Sequence, residues 1–375
     1  MLPDVIVIGG GVIGLSCALR LAQDGRRVTL LERSNCGQAA SHAGAGIVDA
    51  GSVIRTDALA QLRRASVQLY PSFCEELRHE TGIDPEYWSC GAVELLADAS
   101  QARAAEVLLT SHTAPEAVQR LSPADAARIA PGVALPEYDA LWRPQVAQVR
   151  NPRLLRALRH ACQRRGVDIR EGEDARDVDI ARGARIEAVR TAPGTRFAAG
   201  QFVLAAGAWS GGIAERIGAA LPVRPVRGQM LQFECGVAAP PVIVLQGRRY
   251  VVPRRDGAVL VGSTEEHRAG FDVSTTAAAL DRLHAFAAAC VPPLGATPRA
   301  AAWAGLRPAS ADGRPYLGRW PRLSNLLIAT GHFRSGLTLA PITAQLVSDW
   351  CANRTPTLDT SAFDAGRVLE SEASA

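Results

Sequence analysis

Lysine is missing altogether: all 41 basic residues of this 375-residue chain are arginine. That absence excludes Schiff-base chemistry on a lysine, a phosphate-loop lysine and a lysine that activates oxygen. Closely spaced cysteines are missing too. The eight lie at positions 17, 36, 74, 90, 162, 235, 290 and 351, no two within four residues, and the chain is too long to read as a disulfide scaffold. The seven histidines never fall at HxxxH or HExxH spacing, which leaves a zinc site without support. No apolar run reaches the ~20 residues that span a bilayer. The apolar opening Val5 to Leu19 does not read as a signal peptide, because no basic stretch precedes it and Asp4 and three glycines interrupt it. These absences together fit a reduced, cytoplasmic setting. Nor does one sign of charge dominate: the net charge is +4, and the arginines recur as short pairs (Arg26-Arg27, Arg63-Arg64, Arg164-Arg165, Arg254-Arg255) that read as solvated surface. No basic stripe for nucleic acid is formed.

What is present is ordinary globular usage, 47% hydrophobic and 21% charged, which supplies a sizeable core and excludes disorder as the dominant state. The length suggests two or three domains at roughly 150 residues each. The first segment carries the strongest signal. Asp4-Val5-Ile6-Val7-Ile8 is a β-branched run of the kind a buried parallel strand requires. Gly9-Gly10-Gly11-Val12-Ile13-Gly14 follows at once, Leu15 to Gln23 reads as a helix closed by Gly25, and Arg27 to Leu31 reads as a second strand ending at Glu32. In this order Gly9 permits the tight turn, Gly11 lets backbone approach a pyrophosphate, and Gly14 lets the helix pack on the strand. The pyrophosphate would rest on amide donors at the helix N-terminus, and Glu32 would accept from the adenosine ribose.

A GxGxxG turn alone does not separate NAD from FAD, but the rest of the chain does. The α/β character returns twice. Asn151 reads as an N-cap with Pro152 at the first helical position, Gly166 closes that helix and Val167-Asp168-Ile169 opens a strand. Phe202 to Ala206 is a further strand ending in Gly207-Ala208-Trp209-Ser210. Leu326 to Ala329 is another, followed by the loop Thr330 to Gly336 and a helix from Leu337 to Trp350. Between these blocks residues 51–145 read as mostly helical. Residues 222–300 alternate apolar and polar, with Met230–Phe233, Tyr250–Val252 and Ala258–Val261 as antiparallel strands. The expected fold is therefore α/β with an α+β insert. A Rossmann-like nucleotide domain (1–50, 151–221 and 301–375) would be interrupted by an inserted β-sheet substrate domain (51–150 and 222–300). A long cofactor lying across a discontinuous domain suits FAD.

Several segments carry a family resemblance: the Gly9 fingerprint, Ala40 to Ile47, Gly207-Ala208-Trp209-Ser210, Pro225 to Gln229, Tyr250 to Arg254, Trp303 to Pro308, Asp312 to Gly318, and Gly331 to Gly336. On these the chain resembles the D-amino acid oxidase-type flavoproteins. Within that group it is most similar to the enzymes that oxidise glycine for thiamine biosynthesis. The resemblance implies non-covalent FAD, hydride transfer from a substrate α-carbon, and reduction of oxygen to hydrogen peroxide. Glycine would be the main substrate, with sarcosine and small D-amino acids behind it. A dehydrogenase passing electrons to a quinone, or a flavin subunit of a heteromeric enzyme, would share the same fold.

By position in the matching motifs, Arg307 would clamp the substrate carboxylate with its planar, paired donors. Tyr250 would add a hydroxyl contact, and Arg334 would lie near the same end or pair with an acid. The resemblance places the cofactor against Gly9, Gly11, Val12, Ile13, Gly14, Glu32 and Arg33, then Ala40, Ser41, His42, Ala45, Gly46 and Ile47. Ala175, Ala206, Gly207 and Trp209 would follow, with His332, Phe333, Arg334, Ser335, Gly336, Leu337 and Thr338 from the last loop. His42 is expected as a partly buried neutral histidine beside the flavin ring. The helix starting at Leu337 would aim its N-terminus at negative charge developing on the flavin. Partners would be a small amino acid and oxygen, with no nucleic acid and no membrane span. A homo-oligomer is compatible with the sequence.

Overall fold

The computed structural model describes residues 1–51, 56–110, 118–135, 140–217, 221–234 and 239–369. Two sheets dominate it. The first has six strands in the order Tyr316–Arg319, Leu326–Thr330, Gln201–Leu204, Val5–Ile8, Val28–Glu32, Asp168–Glu171. All neighbours are parallel except the antiparallel edge pair Tyr316–Arg319 and Leu326–Thr330. Val5 to Val7 and Phe202 to Val203 are fully buried, as continuous apolar strands covered on both faces must be. The helices Val12–Gln23, Asn151–Arg164 and Gly336–Cys351 cover one face and share a single apolar core with it. Beyond the other face lies a small antiparallel sheet, Ala175–Ala181, Arg185–Thr191 and Arg196–Ala198, which sequence patterning did not reveal.

The second sheet runs Arg299–Ser310, Val223–Glu234, Ala258–Gly262, Arg249–Pro253, Ile243–Gln246, Ala92–Leu95, Ala140–Arg143, Gln119–Leu121. The three antiparallel strands expected between 222 and 300 are all in it. Three of its strands come from the stretch read as mostly helical; there the helices Ala58–Thr81, Ala99–Thr110 and Pro123–Ile129 are interleaved with strands too short to show a period.

The partition of the chain also differs in two places. Arg299–Ser310 pairs along its length with Val223–Glu234, so a boundary at 300/301 cuts through a strand of the larger sheet. The helix Ala58–Thr81 buries Leu62, Tyr70, Cys74 and Leu77 in the core of the six-stranded sheet, against Gly336–Cys351 and Asn151–Arg164. Asn151 is not a cap. It is the first residue inside its helix, and its side chain turns away to donate to the Ser41 carbonyl at 2.7 Å. The described cysteines are free thiols, most of them buried; Cys235 lies outside the described residues. Among the described residues no helix is long and apolar enough to cross a membrane.

Candidate active site

The site begins where Val5–Ile8 turns into Val12–Gln23. Gly9 takes φ +109°, and a Cβ there would stand 2.5 Å from the Ala205 carbonyl oxygen of the neighbouring strand. A Cβ on Gly14 would fall 1.8 Å from the Gly9 carbonyl, and one on Gly11 would meet the Ser41 hydroxyl at 3.3 Å. Backbone can pack this tightly only on glycine. The turn is then pinned from two sides. Gly10 N–H donates to the Glu32 carboxylate at 2.7 Å, and Val12 N–H donates to Ser41 Oγ at 2.9 Å.

From this turn a cavity of about 750 Å³ runs to the end of the larger sheet, where Tyr250 and Arg307 stand. Its size falls in the upper range for cofactor and ligand sites. Gly9, Gly11, Val12, Ile13, Glu32 and Arg33 line its first part, joined by Ala40, Ser41, Ala45, Gly46 and Ile47. Ala175, Ala206, Gly207 and Trp209 close it from the far side, and the whole run His332 to Thr338 lines it from the last loop. The Arg33 guanidinium lies 4.0 Å over the Trp209 ring, which stacks on Phe271 at 5.5 Å. Gly14 shapes the turn without lining the cavity. His42 does neither: it is exposed on the outer side of the short helix Ala40–Ala43, which contradicts its expected place beside the flavin.

At the far end Arg307 lies on the strand Arg299–Ser310, opposite Val226. Its guanidinium donates to the Thr264 carbonyl at 3.1 Å and to Ser263 Oγ at 2.5 Å, and it rests over Gly228, where a Cβ would sit 2.2 Å from Nη2. Burial, and after it the Arg334 charge, pull its pKa below the ordinary arginine value, against the opposing pull of neighbouring Tyr250 and Glu265. Both of its hydrogen bonds go to neutral oxygens. Arg334, by contrast, is spoken for: it pairs with Glu265 at 3.2 Å and donates to the Arg248 carbonyl at 2.8 Å. His332 is buried and bonds Thr343 Oγ1 at 3.1 Å through Nε2; burial pushes its pKa down to about 3, so it is neutral.

Sequence reading missed several lining residues. Arg63 donates to Ser335 Oγ at 3.1 Å, and Arg143 joins Asp49 at 2.6 Å and Glu94 at 3.5 Å on the cavity wall. Arg63 and the buried Arg254 also overturn the reading of the arginine pairs as uniformly solvated. Pairing in sequence says nothing about which member a strand or helix turns inward.

The chain matches the FAD dependent oxidoreductase family over residues 4–350. It belongs to that family. The glycine cradle, the acid at the strand end and the length of the cavity fit FAD, and this oxidoreductase is FAD-dependent. It is 40% identical over 371 residues to glycine oxidase of Pseudomonas aeruginosa, covering 98% of this chain and 100% of that one. It is 34% identical over 355 residues to the bifunctional protein ThiO/ThiG of Trichormus variabilis, covering 93% of this chain and 53% of that protein. The crystal structure of glycine oxidase from Geobacillus kaustophilus superposes with a TM-score of 0.91 at 32% identity, covering 97% of this chain and 98% of that one.

Proposed function

We propose that the protein oxidises glycine, with sarcosine and small D-amino acids as further substrates, passes the electrons to oxygen to give hydrogen peroxide, and serves thiamine biosynthesis. The observation that carries the reading is Arg307. Its guanidinium lines the cavity, is oriented by neutral oxygens, and among the described residues forms no ion pair, so its charge is free to meet a carboxylate. Tyr250, on the strand Arg249–Pro253, lines the same cavity close to Arg307 as a second contact. When bound, FAD supplies the acceptor for the substrate hydride. The chain's part is orientation: a carboxylate seated on Arg307 fixes where the α-carbon lies, and fixed geometry alone can remove several kcal/mol of a barrier. Neutral His332 adds no competing charge. In this reading Arg334, held by Glu265, shapes the wall of the cavity, and Gly9 to Ile13, Ala40, Ser41 and Ala45 to Ile47 hold the cofactor.

The test is oxygen uptake by the purified yellow protein with glycine, sarcosine, D-alanine and D-proline. Peroxide formation with the highest kcat/KM on glycine is expected. Flavin bleached anaerobically by substrate but not restored by air would replace the oxidase with a dehydrogenase, and flavin that no amine bleaches would overturn the substrate class.

A further inference from the structure

Arg254 follows the strand Arg249–Pro253 and is only 8% exposed. Its guanidinium donates to Gln148 Oε1 at 2.6 Å, to the Val149 carbonyl at 3.0 Å and to the Ala45 carbonyl at 2.8 Å. All three acceptors are neutral. The titratable groups around it are Arg150, Glu86, Asp256 and the Cys90 thiol, which burial keeps neutral. Both carboxylates are already engaged: Asp256 by Arg150 at 2.5 Å, and Glu86 by Arg150 at 3.5 Å and Arg153 at 3.1 Å. Two carboxylates therefore face three guanidiniums, and the surplus positive charge sits on the most buried of them. Burial pulls Arg254 down to about 10, which leaves it charged at neutral pH. A buried cation held only by neutral oxygens costs folding free energy that an apolar side chain would not.

The place of that charge is informative. Ala45, whose carbonyl Arg254 holds, begins the Ala45–Ile47 stretch of the cavity wall. A Cβ on Gly46 would come 3.1 Å from Arg254 Nη2 and 2.0 Å from the Val149 carbonyl. The guanidinium thus stands one backbone thickness behind the wall, on the side away from the cavity.

We propose that Arg254 is a positioning residue for the cofactor, fixing the Ala45–Ile47 wall through its three hydrogen bonds and favouring the more negative, reduced form of FAD with its surplus charge. The proposal rests on reading that wall as a flavin contact and not on which amine is oxidised. Shape and charge separate by linkage. A role in shape alone weakens both redox forms of FAD equally and leaves the midpoint potential where it was, whereas a role in charge weakens the reduced form more and lowers the potential.

The variants are Arg254→Met and Arg254→Lys, with exposed Arg255→Met as control. Each is read by FAD fluorescence titration of the apoprotein and by dye-equilibrated reduction of the loaded protein. In Arg254→Met the dissociation constant for oxidised FAD should rise about tenfold or more, because buried carbonyls lose their donor, and the midpoint potential should fall. Arg254→Lys should return the potential close to wild type at pH 7 without fully restoring affinity, since an ammonium cannot reproduce the planar set of donors. Its potential should then drop relative to wild type above pH 9, as the buried ammonium loses its proton. Arg255→Met should change neither. An unmoved potential in folded, FAD-loaded Arg254→Met overturns the proposal. If that variant does not fold, a lysine variant whose potential tracks wild type from pH 7 to 10 overturns it. Failure of the wild-type chain to bind FAD would instead remove the reading beneath it.

Discussion

Arg307 and Gly228 act as one unit, because the guanidinium lies on the only residue type with no side chain to push it away. In the proposed role, removing the cation would strand a substrate carboxylate in a partly enclosed cavity. Arg307→Ala is therefore expected to lose about 3 kcal/mol of transition-state stabilisation, roughly 100-fold in kcat/KM, with FAD still bound. Gly228→Ala should reproduce part of that loss, since its new Cβ would occupy the guanidinium's place; steady-state kinetics on glycine beside a flavin absorbance ratio checks both. His332 titrates with the opposite consequence. Its folded pKa of about 3 lies below the ordinary histidine value of 6.5, so between these the unfolded chain binds the extra proton and folding weakens as pH falls. The place of Arg307 on the cavity wall was legible from its motif. The engagement of Arg334 by Glu265 was not, because 69 residues separate them and only the fold brings them together.

Among the elements, the opening strand, turn and helix were legible because every signal agrees: a β-branched run, glycines at fixed spacing and an acid at the next strand's end. Gly14→Ala tests that unit. Its Cβ would be driven into the Gly9 carbonyl, so the variant should purify without yellow colour while its far-UV dichroism stays close to wild type. The helix Ala58–Thr81 lies in the stretch read only as mostly helical, and its destination was not legible. An amphipathic stripe shows that a face will be covered, at about 1.5–3 kcal/mol for each large apolar side chain buried, without showing by which sheet. The strands Ala92–Leu95 and Ala140–Arg143 were hidden for a related reason. Four residues carry too few periods to stand out from helical neighbours, and pairing across the larger sheet is what makes them strands.

For the molecule as a whole, the C-terminal segment closes the edge of the six-stranded sheet. Arg367 covers the Tyr316 ring at 4.1 Å and bonds Asp312 at 3.0 Å, while Arg314 joins the same carboxylate. Burial pushes Asp312 up, but the hydrogen bonds from Arg367 and Arg314 prevail and hold it down to about 2, below its ordinary 3.8. A carboxylate depressed in this way stabilises the fold above about pH 4 and loses that contribution as pH falls toward 2. Asp312→Asn should accordingly lower the melting temperature at pH 7, and the gap to wild type should shrink as the pH of the scan is lowered to 3. Removing FAD should act on the same whole-molecule quantity. At a hundredfold excess over its dissociation constant, bound cofactor adds about 2.7 kcal/mol, read as a lower melting temperature for the apoprotein.

By itself the sequence determined the nucleotide-binding unit, its return late in the chain and the cofactor class, and it singled out the cavity-lining arginine proposed here to bind the substrate carboxylate. Each is written in local pattern or in a motif whose spacing carries its chemistry. Tertiary structure alone decided which arginines stay free and which are paired, that His42 faces outward and Arg254 inward, and which sheet takes each intervening element. Those outcomes depend on contacts between residues far apart in the chain, where burial and Coulomb energies are set by distance in space.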